Sequence, residues 1–265
     1  MSLLDPLSHA LATVVASVHT TATAVGADPD AGGTWLLAIA GVVVLVRVAL
    51  LPLVVRGVRQ AHAAARARPH LKRLTERYRD RLERRDPATM REFMEERRQL
   101  GAEHGLSRLG CLPMLVQIPI WMALYHLLAQ VAAGSSVGAL GPALVASFGA
   151  ATILGVPLAS HGYGGSAVHL AVVAGLAGTA ALLSYVTQRH LVAPNTVTEG
   201  MPEAMVSAQQ WVPLLSAGGM LVAGGAVPVA LLAYWVCSSA WTCAQAAVVR
   251  RWFPTPGSPA ALGRV

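Results

Sequence analysis

The stretch Thr34–Val55, TWLLAIAGVVVLVRVALLPLVV, decides the fold. It contains 22 residues with one charge, Arg47, and a helix needs about 20 apolar residues to cross the hydrocarbon of a bilayer. A soluble helix of this length would show one polar face. None is present here, so the stretch predicts a membrane span.

The rest of the chain agrees with that solvent. Apolar residues make up 54% of the sequence and charged residues 12%, about half the charge usual in a soluble domain. No Asp, Glu, Lys or Arg occurs between Leu109 and Gln188, or between Ala204 and Val249. These runs supply further predicted spans at 111–133, 166–187, 204–223 and 227–249, with Gly218, Gly219, Gly224, Gly225 and Pro228 expected to break the last run into a tight hairpin. The predicted fold class is therefore an all-α membrane protein with five transmembrane helices.

Between the first and second spans the composition inverts. Residues 56–108 hold fifteen basic and eight acidic side chains, an excess equal to the whole formal net charge of +7. They read as a helical hairpin turning at Arg85-Asp86-Pro87, because proline pushes the preceding residue out of the helical region. A basic block beside long apolar runs fits the cytoplasmic excess of Lys and Arg that orients membrane proteins. Five spans put this hairpin, the 188–203 loop with Arg189, and the 250–265 tail with Arg250 and Arg251 on the cytoplasmic side of a bacterial plasma membrane, with the N-terminus outside. Anionic lipid headgroups are natural contacts for that charge, and no specific nucleic-acid site is indicated. Residues 1–33 read as an external interfacial helix and a linker. The apolar Val137–Ala159 stretch reads as an external loop or a re-entrant segment within 134–165, because a sixth span would place the later arginines outside. From Pro254 the tail is rich in Pro, Gly and Ser and is expected to be unstructured.

Arg47 carries the functional argument. An arginine at the centre of a spanning helix costs between about 2.5 and 10 kcal/mol or more unless it finds water or a partner. It precedes Arg56 by nine residues, a depth of roughly 13 Å, which is about twice the reach of its side chain. Outside the hairpin the only acids are Asp5, Asp28, Asp30, Glu199 and Glu203, so no spanning segment offers a carboxylate. A wet cavity follows, lined by the polar residues of the other spans: Gln117, Ser184, Gln188, Tyr234, Trp235, Ser238 and Ser239.

Several segments together resemble the YidC/Oxa/Alb family of membrane insertases. They are Val46-Arg47-Val48-Ala49-Leu50-Leu51-Pro52-Leu53, Pro69-His70-Leu71-Lys72, Tyr78, Asp86-Pro87, Glu103-His104-Gly105, the run Gly110 to Tyr125 containing Gln117-Ile118-Pro119, Met201-Pro202, Pro213, and Tyr234-Trp235. The preference for Arg over Lys and the Ala-rich spans point to the short actinobacterial type. The resemblance implies a cytoplasm-open groove holding Arg47, with groove roles for Gln117 and Trp235. It also implies a hairpin that meets nascent membrane proteins first, with the ribosome and the Sec translocon as candidate partners. A substrate tail would enter the groove, be held at Arg47 and Gln117, and leave beside the third and fifth spans. The chain departs from the family pattern at Ser107-Arg108, Ala230 and Ser238-Ser239, changes that bear on substrate range.

No phosphate-binding loop of Walker type occurs, so neither nucleotide nor cofactor is expected. The first rival reading is a channel or transporter for small anionic solutes, which an intramembrane arginine would also suit. The second is an intramembrane enzyme using His161, His169 and His190. It lacks a metal-binding spacing such as His-Glu-x-x-His, and no nucleophile elbow is present.

Overall fold

The computed structural model describes residues 4–83, 86–106, 112–198, 201 and 203–263, and the side chains of these except 112–114. The Ser107-Arg108 departure, Cys111, Pro202 and the Arg85 side of the hairpin turn lie outside them.

The chain is built of helices: α1 Asp5–Ala24, α2 Gly32–Ala49, α3 Leu51–Glu83, α4 Pro87–Glu103, α5 Leu112–Ala132, α6 Pro142–Ala150, α7 Ala167–Val186, α8 Glu203–Gly224, α9 Val229–Trp252 and α10 Pro259–Leu262. By length and composition, three helical segments among the described residues can cross a membrane: Gly32–Ala49, Leu115–Ala132 and Ala167–Asn195. The break between the first span and the polar helix falls at Leu50 rather than at Val55. Pro52 has no N–H to donate and crowds the preceding turn, so α2 ends there. Leu53 and Val54 restart the helix by donating to the Leu50 carbonyl at 3.0 and 3.1 Å.

Burial is concentrated at one end of the bundle. Trp35, Ile39 and Val42 near the start of α2 meet Leu124, Leu127 and Val131 near the end of α5, Val173 near the start of α7, and Leu231 and Leu232 near the start of α9. Helix α1 closes over them with Leu11, Ala12, Val15 and Ala16, a stripe at helical spacing. Gly41 permits its approach, since a Cβ there would lie 2.9 Å from Val18.

The 134–165 segment completes this cap. Its short helix α6 buries Val145 and Phe148, and Phe148 meets Trp35 edge-on with ring centroids 5.1 Å apart. A two-residue hairpin follows, β1 Thr152–Ile153 paired with β2 Val156–Pro157. Leu154 and Gly155 turn it with φ of 52° and 79°, the pair of positive values that a tight hairpin needs. The chain then runs under α9, whose first N–H groups have no partner within their own helix. Val229 N–H donates to the Ser160 carbonyl at 2.9 Å and Ala230 N–H to the Leu158 carbonyl at 3.0 Å. This satisfies a helix end whose residues are buried.

Helices α3 and α4 pack side by side away from the cap. Asp86 caps α4, its carboxylate accepting from the N–H groups of Ala88 and Thr89. The Thr89 hydroxyl bond first, and then these N–H bonds, hold its pKa below the ordinary carboxylate value. Tyr78 is buried between the helices, donates to Glu96 at 2.8 Å, and lies under the Arg81 guanidinium. Burial first, then the Glu96 bond, pushes its phenol up to about 12.

The tail corrects the expectation of disorder. Thr255 N–H donates to Asn195 Oδ1 at 2.8 Å, and the fully buried Ser258 caps α10 through the Ala261 N–H at 3.3 Å. Side-chain capping supplies the local order that a Pro- and Gly-rich composition does not.

Candidate functional site

Beyond the cap the same helices carry buried and half-buried polar residues. Arg47 lies in the last turn of α2 and is half-buried. Its Nη2 donates to Ser238 Oγ on α9 at 2.8 Å. All ion pairs among the described residues lie on α3 and α4, so Arg47 has no carboxylate partner there. Guanidinium carries five N–H donors, and a single hydroxyl leaves most of them for water or for a visiting acceptor.

Ser238 also lines a half-open cavity of about 390 Å³. Its α9 wall is Tyr234, Trp235, Ser238 and Ser239, its α8 wall Leu215, Ser216, Gly219 and Met220, and α5 adds Trp121. Each wall follows from helical geometry, because residues three and four apart share a face. Tyr234 and Ser238 form one such pair, Ser216 and Gly219 another. The cavity therefore combines hydroxyls, of which that of Ser238 meets Arg47, with aromatic and aliphatic side chains.

The remaining predicted residues take different places. Gln188 does not line the cavity, but its Nε2 donates to the lining Ser216 Oγ at 2.9 Å. It belongs to a π-helical turn, Thr187–Val192, that continues α7, and such turns re-aim side chains relative to an α-helix. Gln117 is half-buried on α5, one turn before Trp121. Ser184 is half-buried on α7, one turn before Gln188. Neither lines the cavity. Helix α7, beside which a substrate was expected to leave, contributes no lining residue, and the walls are α5, α8 and α9.

Trp121, Leu215, Ser216 and Met220 escaped the sequence reading, and Gly219, expected with Gly218 to break the run, instead lies inside α8 and lines the cavity. All but Ser216 lack the polarity by which groove residues were sought, and Ser216 is one serine among many. The histidines of the enzyme reading are occupied separately. His169 Nε2 lies 3.0 Å from the Gly162 carbonyl, the backbone of His161 pairs with that of Pro228, and the His190 ring stands against Tyr185.

Comparison with known proteins gives the same assignment as the quoted segments. The family model described as "60Kd inner membrane protein" matches residues 27–256. The chain is 31% identical over 242 residues to the membrane protein insertase YidC of Streptomyces avermitilis, an alignment covering 87% of this chain and 54% of that protein. It is 28% identical over 270 residues to that of Tropheryma whipplei, covering 97% and 86%, and 28% identical over 241 residues to that of Corynebacterium glutamicum, covering 81% and 56%. The chain thus spans about half the length of the Streptomyces and Corynebacterium relatives. With a matching family model over most of its residues and a run of relatives bearing one name, this chain belongs to the 60Kd inner membrane protein family, the family of the YidC membrane protein insertases.

Proposed function

We propose that this chain inserts nascent membrane proteins into the bacterial plasma membrane through the groove at Arg47, without nucleotide hydrolysis. The observation that carries the proposal is the bond between Arg47 and Ser238, which ties an arginine without a carboxylate partner among the described residues to a lining residue of a cavity walled by hydroxyl, aromatic and aliphatic side chains. Five spans, 34–55, 111–133, 166–187, 204–223 and 227–249, surround the groove, with the N-terminus outside and the 56–108 hairpin and the C-terminus in the cytoplasm.

A substrate with a short polar tail must move charged groups across hydrocarbon at a cost of several kcal/mol each. A hydrated groove reaching partway across shortens that path. Acidic or carbonyl groups of the tail bind the free N–H donors of Arg47, while Gln117, one turn below Trp121, offers an amide nearer the cytoplasm. The following apolar segment lies against Trp121, Leu215 and Met220 and partitions into lipid past α5 and α8. Burial of that segment supplies the driving force. The hairpin meets the substrate, the ribosome or the Sec translocon, and its arginines rest on anionic headgroups.

The test is complementation of an insertase-depleted strain, together with insertion of a single-span protein into liposomes. Arg47→Ala is expected to lose at least about tenfold in insertion while remaining folded in the membrane; a desolvated charge contact is commonly worth that much. Arg47→Lys separates charge from the planar guanidinium fork. Wild-type insertion by Arg47→Ala would overturn the groove-charge mechanism. Flux of small anions without any insertion would favour the transporter reading instead.

A further inference from the structure

Among the lining residues, Gly219 is the one whose contribution is an absent side chain. It lies on the α8 wall between Ser216 and Met220 and faces a cavity whose other walls carry Trp121, Tyr234 and Trp235. A Cβ built at Gly219 meets nothing within 4 Å, and the same is true at its neighbour Gly218. Packing within the protein therefore requires neither glycine. The two differ in position, since successive helical residues point about 100° apart and Gly218 does not line the cavity. Both glycines cost helix stability relative to a side-chain-bearing residue, so a glycine at 219 calls for a reason outside the fold.

We infer that Gly219 is the clearance residue of the groove, letting the backbone of an apolar substrate segment approach α8 while its side chains lie between Trp121 and Trp235. Small residues serve this purpose where helices approach closely in lipid. The Ser216 hydroxyl, held by Gln188 from the π-helical turn, sits one turn away and keeps α8 in register beside the segment. This inference rests on the insertase reading and adds to it a residue that sets how bulky a segment can pass.

The test is a size series, Ala, Val and Leu, placed at 219 and separately at 218. Insertion is measured per membrane-resident molecule, and a photocrosslinking residue replaces Leu215 to report contact with an arrested nascent chain. Insertion and crosslinking are expected to fall stepwise with side-chain volume at 219, by about tenfold or more for Gly219→Leu, the usual scale of overfilling a packed site. The 218 series is expected to stay near wild type. If Gly219→Leu does not accumulate, the Ala and Val members carry the comparison. Equal behaviour of the two series, with the parent protein inserting normally, overturns the clearance role alone. A parent protein that inserts nothing overturns the insertase reading and this inference with it.

Discussion

Arg47 and Ser238 are 191 positions apart in the chain and 2.8 Å apart in space. Sequence makes the arginine conspicuous, because a lone charge in an apolar span has a known cost. Sequence also offers Ser238 as one of several polar candidates for the cavity, but only the crossing of α2 and α9 selects it as the partner of Arg47. Ser238→Ala removes the one hydroxyl that fixes the guanidinium direction but leaves its charge. Hydrogen bonds to charged groups are worth about 1.5–3 kcal/mol, an upper bound where water can replace the hydroxyl. Insertion by Ser238→Ala is accordingly expected to fall by roughly tenfold or less, and by less than in Arg47→Ala, in the same liposome assay. A loss as large as that of Arg47→Ala would mean that aim matters more than charge.

At the scale of elements, the helical class was legible from hydropathy and charge alone, because long uncharged runs admit few other solutions in a bilayer. Local breaks were less legible. Pro52 interrupts the helix at Leu50 although the apolar run continues past it, and Thr187–Val192 winds as a π-turn for which no local residue gives a signal. The order of the tail was missed because it depends on Asn195, sixty residues before Thr255. Helices α3 and α4 offer a test of their own. The Tyr78 phenol is held neutral up to about 12, above its ordinary value near 10. The folded state thus retains a proton that the unfolded chain releases, and this stabilisation is complete below pH 10 and lost as the pH rises through about 12. Protease protection of residues 51–103 in the full-length protein is expected to decline across that window. Tyr78→Phe should flatten the decline, and an unchanged profile would remove Tyr78 as its cause.

The whole molecule is asymmetric along its helices, densely packed at the Trp35 and Phe148 end and polar at the Arg47 end. The sequence hinted at only half of this. Polar residues toward the Arg47 end of the helices could be read directly, whereas the cap depends on α1, α6 and the β1–β2 hairpin folding over apolar surface. The seam is Gly32, where an added Cβ would stand 1.9 Å from the Thr152 carbonyl oxygen. Backbone on both sides leaves nothing flexible to yield. Gly32→Ala is expected to destabilise the protein by about 1–3 kcal/mol, seen as a lower melting temperature in detergent, while Gly33→Ala, whose Cβ meets nothing within 4 Å, should not. Equal melting of the two variants would show that the cap shifts freely on α2.

A close-packed plug of Trp, Phe, Leu and Val conducts no ions, whereas a hydrated channel does. On the proposed reading, in which the Arg47 end is hydrated, the resting voltage of the cell would fall mainly across the plugged layer instead of the full bilayer thickness. Each elementary charge crossing that layer exchanges about 2.3 kcal/mol per 100 mV with the field. An acidic tail poised at the layer's inner edge would thus be drawn outward over a short distance, as in a capacitor whose plates have been brought close together.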